Sequence, residues 1–395
     1  MNSIELFTGA GGLAMGISNA GFCHEALIEL DKDACTTIRE NQRRGLQAVA
    51  DWPVFETDVT KFDFRALKYG VDLLAGGPPC QPFSLGGKHQ GCLDERDMFP
   101  QFFRAVRELK PKVILIENVR GLLRSSFTKY FEYIILQLTY PEVVPKLGED
   151  WLTHLSLLER HHPIGHRDGL SYRVVFRLLN AADYGIPQKR ERVFIVGFRS
   201  DLGLEWSFPQ PTCSQEALLW DQWVTGDYWE RHQVPYSERK DVPSKLYSRI
   251  FNLRSSLFAP RTSPWRTLRD ALSDLPEVLS EESQSSKLNH VFIPGARTYP
   301  GHTGSPLDEP AKTLKAGVHG VPGGENILVL PTGQVRYFTI REAARLQTFP
   351  DEYFFPHCWT QTMRQLGNAV PVALAEVIAS SIRERLERHR KSKVS

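Results

Sequence analysis

Short apolar runs alternate with helical patterns through the first 198 residues, and this alternation constrains the fold more than any other feature. Apolar runs of about four to eight residues bounded by turn signals are typical of buried strands. The stretches between them, such as 34–43 and 100–108, carry helical periodicity. Strands that alternate with helices predict an α/β fold, a mostly parallel sheet with helices on both faces. The expected strands are Ser3–Phe7, Ala26–Leu30, Val71–Ala75, Val113–Glu117, Tyr172–Leu179 and Val193–Phe198.

Changes in composition and periodicity divide the chain into three segments. Its 395 residues are enough for two domains of about 150 residues or more. We expect a first domain over 1–198, an irregular second module over 199–335 that is rich in Pro, Ser, Trp and Arg, and a return to the first domain over 336–395. In the last segment, Thr339 and Glu342 form a capping-box pattern at the start of a helix, and a final amphipathic helix is expected to end near Arg388.

Composition excludes several classes of protein. A net charge of +2 argues against a general polyanion binder, so any nucleic-acid surface must be local. Without an apolar run of about 18 residues or a basic, apolar N-terminus, neither a membrane span nor a signal peptide is expected. The six cysteines form no Cys-x-x-Cys pair, which favours a reducing cytoplasm without disulfides or a zinc site.

Residues 140–170 interrupt the alternation and carry three histidines. A metal site is conceivable there, but no cysteine is near, and a solvated loop insertion is the preferred interpretation. No metal is expected anywhere in the chain. The histidines are His161, His162 and His166.

A stiff turn presents Cys80 directly after a predicted strand. The run GGPPCQPFS spans 76–84, and its glycines and prolines force a turn at the strand's end. Open α/β sheets hold their ligands at the carboxyl ends of strands. A structural cysteine is usually buried inside an element. Cys80 is therefore a candidate nucleophile, with a structural thiol as the alternative.

A second cluster of features predicts a nucleoside site. The glycine-rich run LFTGAGGL, 6–13, follows the first strand, where glycines let the backbone approach a ligand closely. Glu29 ends the second strand and can accept from ribose hydroxyls, and Asp58 ends an expected third strand and can accept from an adenine amino group. For each carboxylate the alternative is the capping of a helix or turn. There is no Gly-Lys-Ser/Thr, which excludes a P-loop.

Charged residues also stand at the ends of two later strands. Partial burial of Glu117, at the end of the strand that begins at Val113, would raise its pKa and make it a proton donor near neutrality. The alternative is a structural carboxylate bonded to backbone amides. Arg190 and Arg192 would share one face of an extended run, and two guanidinium groups on one face require anions.

The stretch from Arg239 to Arg269 combines basic and aromatic residues. Its only acid is Asp241, whereas a solvated face would mix charges of both signs. The stretch is therefore predicted to contact phosphates, with a basic solvated helix as the alternative. Its candidate ligands include Arg249, Arg254 and Arg261.

Taken together, these motifs resemble the cytosine-C5 DNA methyltransferase family. The matching segments follow the family's order and spacing, and residues 199–335 fall where the family places its target-recognition domain. The resemblance implies a class I, Rossmann-like methyltransferase fold. One departure is Cys213 in Pro-Thr-Cys, where similar proteins often have histidine. The segments are 7–13, the Pro-Pro-Cys-Gln loop, 117–119, 188–192, 341–350 and 367–371.

For catalysis, the resemblance implies methyl transfer to C5 of a cytosine flipped out of duplex DNA. Cys80 would add to C6 of the base, and Glu117 would stabilise or protonate N3. Arg192 would position Glu117 and the base's carbonyl, and Arg190 would hold the phosphate of the flipped nucleotide. Gln81 and Ser84, beside the nucleophile, would fill or line the vacated space in the DNA.

The methyl donor implied by the resemblance is S-adenosylmethionine, with S-adenosylhomocysteine as the product. The matching positions lie in the glycine loop, at the strand ends, beside Cys80 and in the C-terminal motif. They are Phe7, Gly9, Gly11, Leu13, Glu29, Leu30, Asp58, Val59, Pro79, Asn368 and Val370.

The resemblance also implies a monomeric, cytoplasmic enzyme of a restriction–modification system, paired functionally with a restriction endonuclease and independent of membranes. One alternative is an RNA cytosine-C5 methyltransferase of the same fold, although such enzymes have a shorter module before the C-terminal motifs. The other is a catalytically silent regulator, against which the presence of Cys80, Glu117 and Arg192 argues.

Overall fold

The computed structural model of the chain describes residues 1–67, 70–79, 97–162, 169–239, 241–283, 285–301, 303–316 and 324–394. Cys80, Gln81, Ser84 and His166 lie outside the described residues. The chain forms two compact units. The first contains Met1–Leu179, Glu191–Pro209 and Ala375–Ser395, and the second contains Asn180–Arg190 and Gln210–Leu374.

A seven-stranded sheet is the centre of the first unit, within the described part of the chain. Its strand order is β3-β2-β1-β4-β5-β7-β6. Strands β1 to β5 pair in parallel, and β7 pairs antiparallel to β5. The predicted mostly parallel sheet is confirmed. The strands are β1 Asn2–Leu6, β2 Cys23–Glu29, β3 Val54–Glu56, β4 Leu73–Gly76, β5 Val113–Val119, β6 Tyr172–Asn180 and β7 Glu191–Arg199.

Helices connect these strands and cover the sheet. The strand order runs outward from β1 in one direction to β3 and in the other from β4 to β5. Since crossovers between parallel strands are right-handed, this reversal puts the connecting helices on opposite faces. The helices are α1 Gly12–Asn19, α2 Lys32–Arg43, α3 Phe99–Leu109, α4 Thr128–Thr139 and α5 Trp151–His161.

The central strands β4 and β5 lie in the main hydrophobic core. Every residue of β4 and the first six residues of β5 are buried. Such continuous apolar runs are expected for strands covered on both faces. Helix α3 buries Phe99, Phe102 and Phe103 against this core, at the i, i+3 and i+4 spacing of one helix face.

The second unit consists of short elements around smaller clusters. One cluster contains Leu218, Tyr228, Trp229 and Val234. The hydroxyl of Tyr228 lies 3.0 Å from Thr267 Oγ1 and donates to Asp308 Oδ1 at 3.0 Å. The elements after β7 are β8 Cys213–Ser214, α6 Gln215–Trp220, α7 Asp227–Arg231, α8 Tyr247–Arg254, β9 Ser263–Pro264, α9 Leu268–Leu272, β10 Ser305–Pro306, β11 Ile327–Val329, β12 Val335–Tyr337, α10 Ile340–Leu346, α11 Trp359–Asn368 and α12 Val372–Val394.

Several local predictions can be compared with these elements. The capping box is confirmed, since Thr339 Oγ1 accepts from Glu342 N while the Glu342 carboxylate accepts from Thr339 N. The last helix continues past Arg388. The third strand is short and ends at Glu56, before Asp58.

The solvated loop predicted for 140–170 is wrong over α5. Asp150 caps this helix by accepting from Leu152 N and Thr153 N. Leu155 and Leu158 are buried in the main core. An N-cap followed by apolar residues at helical spacing is enough to turn an insertion into a packed helix.

The predicted division of the chain differs from the two units in two places. Residues 180–190 belong to the second unit, and the return to the first unit begins at Ala375 rather than at 336. The helix and turn over 340–374 pack within the second unit because Gln188 and Gln347 join them to the 180–190 segment.

One stretch of the described chain has the length and apolar character of a membrane span. It is Trp359–Ser392, and 67% of its most apolar part is buried inside the protein. Burial of this extent is typical of a core helix.

The end of β4 leaves no room for a side chain. A Cβ at Gly76 would lie 2.7 Å from Leu6 O and 3.1 Å from the Phe102 ring. We expect Gly76→Ala to destabilise the protein by about 1–3 kcal/mol, because the neighbouring backbone cannot move without disturbing β1. Urea unfolding measures this difference. Gly70→Ala is the matched control, since a Cβ there meets nothing within 4 Å, and it should stay within about 0.5 kcal/mol of the parent. Equal effects of the two changes would refute the close approach at Gly76.

Candidate active site

The candidate site lies at the carboxyl edge of the parallel strands. The segments that follow β1, β2 and β4 and the end of β5 meet there, because parallel strands point their carboxyl ends at one edge. These ends carry the glycine loop, Glu29, the Gly77–Pro79 turn and Glu117. The structure therefore brings four of the features predicted from the sequence to one edge of one sheet.

The glycine loop after β1 turns through unusual backbone conformations. Phe7 has φ 60°, in the left-handed region that residues other than glycine rarely adopt, and its N–H donates to Ile28 O at 2.8 Å. Gly9 and Gly11 also have positive φ, and a Cβ at Gly11 would lie 2.7 Å from the Trp52 ring. Leu13 is buried in α1. Strained backbone of this kind clusters at ligand sites.

Glu29 holds this loop. Its carboxylate accepts from Gly9 N at 2.7 Å, from Leu30 N at 2.8 Å and from Asp31 N at 2.7 Å. Burial raises the pKa of Glu29, and these backbone hydrogen bonds partly oppose the shift. The Leu30 side chain is 67% exposed. Glu29 thus caps the turn, which was the alternative to ribose binding. The residue directly after it, Leu30, presents an apolar side chain to solvent.

Asp58 lies beyond β3 on the protein surface. It caps a short 3-10 helix by accepting from Thr60 N at 2.9 Å, and hydrogen bonds from Thr60 lower its pKa. Its neighbour Val59 is buried. Capping was the alternative considered for this carboxylate, and the hydrogen bonds from Thr60 show that Asp58 caps this turn.

The loop's surroundings fit a nucleoside ligand with a polar tail. A Cβ at Gly9 would meet nothing within 4 Å, so there is open space beside the loop. Thr8 Oγ1 is buried and has no hydrogen-bond partner among the described residues. A buried hydroxyl of this kind is costly unless a ligand or water satisfies it.

A buried ion pair joins β5 and β7. Arg192 Nε lies 2.9 Å from Glu117 Oε1, with 12% and 9% of the two side chains exposed. Arg192 is opposite Val119 in the strand register, so the pair is diagonal across the two strands. The guanidinium stabilises the ionised carboxylate. The predicted partnership of Arg192 with Glu117 is present in this ion pair.

The turn that leads to Cys80 packs against the same strand end. A Cβ at Gly77 would lie 3.4 Å from Glu117 Oε2, and the amide of Asn118 donates to Pro78 O at 3.2 Å. Pro79 is partly exposed. Sequence reasoning missed the contribution of Asn118, although its place directly after Glu117 at the strand end is a usable signal.

The phosphate-binding role predicted for Arg190 is wrong. Its side chain is fully buried in the second unit, where it donates to Leu314 O, Gly367 O and Ala369 O at 3.1, 2.8 and 2.8 Å. Strand β7 begins only at Glu191, so the extended run that would align Arg190 with Arg192 does not reach it. Three backbone carbonyls therefore accept hydrogen bonds from this guanidinium.

The C-terminal candidates lie at the end of α11. Asn368 is the last residue of this helix and is exposed, whereas Val370 is buried. The flanking Gly367 and Ala369 are the residues whose carbonyls Arg190 contacts.

Helix α8 lies within the stretch Arg239–Arg269 that was predicted to contact phosphates. Tyr247, Phe251 and Arg254 share one outward face at i, i+4 and i+7, and all three are exposed. Arg249 is ion-paired with Glu216, and the negative charge of this carboxylate opposes the attraction of Arg249 for a phosphate. Arg254 Nη2 donates to Trp223 O at 2.9 Å, and Arg261 is exposed.

A family model and curated relatives match nearly the whole chain. The model of the C-5 cytosine-specific DNA methylase matches residues 1–140 and 164–384. The Type II methyltransferase M.Eco47II of Escherichia coli is 34% identical over 382 residues, which is 96% of this chain and 78% of that protein. The Type II methyltransferase M.NgoMIV of Neisseria gonorrhoeae is 31% identical over 388 residues, 98% of each protein.

Solved structures share the fold. The S. pombe Dnmt2 methyltransferase superposes with a TM-score of 0.54 at 18% identity and covers 98% of this chain and 99% of its own. A mutant of DNMT2 from Spodoptera frugiperda superposes with a TM-score of 0.56 at 16% identity, with 97% and 99% coverage. At these identities the likeness concerns the fold alone.

One buried carboxyl group beneath the glycine loop was not predicted. Glu5 of β1 is 1% exposed, and its Oε2 has no hydrogen-bond partner among the described residues. Burial, and secondarily the charge of Glu29, raise the pKa of Glu5 well above its usual range. The folded protein therefore keeps this proton at pH values where the unfolded chain, with a pKa of about 4.3, has lost it.

The stability of the protein should depend on pH through Glu5. Because the folded state binds more protons, stability falls as pH rises from about 4.3 towards the raised folded pKa. Glu5→Gln removes this loss, so its stability advantage should grow by up to about 1.4 kcal/mol per pH unit within that window. Urea unfolding of both proteins between pH 5 and 8 measures the difference. Glu132→Gln, at an exposed position, is the control. If the difference in the free energy of unfolding between Glu5→Gln and the parent is the same at every pH, Glu5 is ionised in the folded protein and the prediction is wrong.

Proposed function

The chain belongs to the C-5 cytosine-specific DNA methylase family, and from this premise we propose that it methylates C5 of a flipped-out cytosine in a specific duplex DNA sequence. The observation that carries the proposal is the Glu117–Arg192 pair beside the Gly77–Pro79 turn, since the chain continues from that turn into Cys80. The pair and the turn supply a carboxylate and a stiff support for the segment that bears the nucleophile.

Cys80 is the proposed nucleophile. Its thiolate adds to C6 of cytosine, a C6–S bond forms, and the displaced π electrons make C5 nucleophilic. C5 then bonds to the methyl group of the donor as the sulfur–methyl bond of the donor breaks. A water-mediated base removes the C5 proton, and elimination of the thiolate restores the ring. A free thiol with a pKa of about 8.5 is only a few per cent ionised at pH 7, so this route needs an environment that favours the thiolate.

Glu117 is the proposed group at the pyrimidine edge. In its ionised form, which Arg192 favours, it accepts a hydrogen bond from the N4 amino group of the base. In its protonated form it donates to N3 as negative charge develops there. Arg192 is proposed to hold the carboxylate and the carbonyl of the base in place, and Asn118 to hold the turn through Pro78 O.

S-adenosylmethionine is the proposed methyl donor, and it supplies an electrophilic methyl group and leaves as S-adenosylhomocysteine. The open space at Gly9, the buried Thr8 hydroxyl and the exposed Leu30 support this assignment. Asp58 is partly exposed in the segment after β3, and its carboxylate is proposed to accept from the adenine amino group. The proposed contacts remain Phe7, Gly9, Gly11, Leu13, Glu29, Leu30, Asp58, Val59, Pro79, Asn368 and Val370.

Segments 1–198 and 336–395 are proposed to bind the methyl donor, and segment 199–335 is proposed to recognise DNA. The C5 atom is inaccessible inside a duplex, so the base must be extruded at a cost of a few kcal/mol, which phosphate contacts offset. The outward face of α8 combines basic and aromatic side chains suited to these contacts. Gln81 and Ser84 are proposed to line the vacated position in the duplex.

The proposed biological role is protection of host DNA in a Type II restriction–modification system. Two curated relatives that match nearly the whole chain are Type II methyltransferases, and this supports the role. The proposed partner is a restriction endonuclease that reads the same site, and the proposed state is a cytoplasmic monomer. Bisulfite sequencing of DNA from cells that express the chain tests the role and identifies the methylated site.

Replacing the nucleophile tests the chemistry. Cys80→Ser should lower kcat by about three orders of magnitude or more, because a hydroxyl is far less ionised than a thiol. Its affinity for S-adenosylmethionine, measured by calorimetry, should be unchanged. Cys23→Ser, at an exposed thiol of β2, is the matched control. Methyl transfer from labelled donor into duplex DNA and into transfer RNA is the assay. Full activity of Cys80→Ser would contradict the mechanism, and exclusive labelling of RNA would contradict the substrate.

Changes on α8 and after it test the DNA surface. Arg254→Ala and Arg261→Ala should each reduce the slope of log K against log salt by about 0.9, the value for one phosphate contact. Arg249→Ala should have a smaller effect because Glu216 already neutralises this side chain. The slopes are obtained by titrating labelled duplex DNA with the protein and measuring the binding constant at salt concentrations from about 50 to about 200 mM. Arg65→Ala, exposed in the first unit, is the control. Unchanged slopes would mean that this stretch is a solvated face.

A further inference from the structure

The turn that follows α11 is held by three fully buried polar side chains. They are Gln188, Arg190 and Gln347, each with 0% of its surface exposed. Buried polar groups are costly unless they are paired, so their contacts show what they stabilise. All three point to the backbone of 366–369 or to the segments that pack against it.

Arg190 fixes the backbone on both sides of Asn368. Its Nη2 donates at 2.8 Å to Gly367 O and at 2.8 Å to Ala369 O, and its Nη1 donates to Leu314 O at 3.1 Å. A guanidinium presents its donors in a rigid planar fork, so two carbonyls held by one nitrogen have little freedom. Asn368, which stands between them, is exposed.

The two glutamines complete the network. Gln347 Nε2 donates to Leu366 O and, at 3.2 Å, to Ala369 O. Gln188 Nε2 donates to Leu346 O at 2.9 Å and to Gln347 Oε1 at 3.3 Å, while Gln188 Oε1 accepts from Leu314 N at 3.0 Å. The last carbonyls of a helix have no partners within the helix. At the end of α11, side chains from distant parts of the sequence supply those partners.

Close backbone packing adds to these bonds. A Cβ at Gly367 would lie 2.3 Å from Ala316 N and 2.5 Å from Lys315 C, so only glycine fits between α11 and the 314–316 segment. Ala369, the C-cap, is extended with φ −64° and ψ 146°, and it lacks the left-handed glycine that commonly ends helices. The turn is therefore held from outside rather than by its own sequence.

We propose that Gln188, Arg190 and Gln347 are positioning residues that pre-form the Asn368–Val370 turn for the methionine end of S-adenosylmethionine. The inference rests on the proposed contacts of Asn368 and Val370 with the methyl donor. The network fixes the Gly367–Asn368 and Ala369–Val370 peptide groups, and this constrains the direction of the Asn368 side chain. A turn formed before the ligand arrives spares the ligand the entropy cost of ordering it.

Affinity for the methyl donor tests the network. Arg190→Lys keeps the charge but cannot hold three carbonyls in one plane, and it should raise the Kd for S-adenosylmethionine about tenfold, measured by calorimetry. The KM for DNA should change less than about twofold. Gln347→Glu keeps the shape but replaces the donating amide with an acceptor, and a similar rise is expected. If either variant does not fold, the other decides.

A matched control separates positioning from stability. Arg341 is also 0% exposed and donates to three backbone carbonyls, those of Leu288, Pro350 and Tyr353, none of them in the turn. Arg341→Lys should lower the Tm as Arg190→Lys does, but change the Kd for the methyl donor less than about twofold. Equal losses of affinity in the two variants would make the role of Arg190 merely structural and overturn the proposal.

A double-mutant cycle with Asn368→Ala separates the inference from the function on which it rests. If Asn368→Ala and Val370→Ala both leave the Kd unchanged, the proposed donor contacts are wrong and the inference fails with them. If Asn368→Ala weakens binding and Arg190→Lys then adds less than about twofold, the two act through one turn, as proposed. If the fold-changes in Kd caused by Asn368→Ala and Arg190→Lys multiply in the double variant, the two residues act independently. That result would overturn the inference but not the proposed function. Hydrogen exchange adds a test without mutation: the 366–370 amides should be protected before the donor is added.

Discussion

The register of β5 against β7 is the constraint on which the candidate site depends. The antiparallel pairing runs from Val113 opposite Phe198 to Val119 opposite Arg192, and it brings Arg192 diagonally across from Glu117. Side chains alternate between the two faces of a sheet, so a slip of one residue would turn Arg192 to the other face. The buried ion pair in turn resists such a slip, because breaking it would leave an uncompensated charge in the core.

The same sheet edge gathers two carboxyl groups with different roles. Glu29 is held by three backbone N–H groups and caps the turn between β2 and α2, whereas Glu5 is buried beneath the loop without a partner for one oxygen. Burial raises the pKa of both groups, but only Glu29 has hydrogen bonds that oppose the shift. Environment rather than residue type therefore decides which carboxyl group can face a ligand in its charged form.

Reasoning from the sequence succeeded where local pattern and position carry the information. The strands, the capping box at Thr339 and the partnership of Arg192 with Glu117 follow from periodicity and from the rule that parallel strands share a carboxyl edge. The predicted alignment of Arg190 with Arg192 failed, because it assumed an extended strand at Arg190, whereas β7 begins one residue later, at Glu191. Reasoning from the sequence also failed for α5, because the N-cap Asp150 and the helical spacing of Leu155 and Leu158 were interpreted as part of a loop.

The sequence by itself determined the family, the α/β class and the residues available for chemistry, because motif order, apolar period and strand-end position are properties of the chain. Only the tertiary structure decided what those residues touch. Arg190 and Arg192 are two positions apart, yet one guanidinium meets three carbonyls and the other a carboxylate. Their partners come from segments more than seventy residues away in sequence, and no local pattern encodes a contact at such a separation.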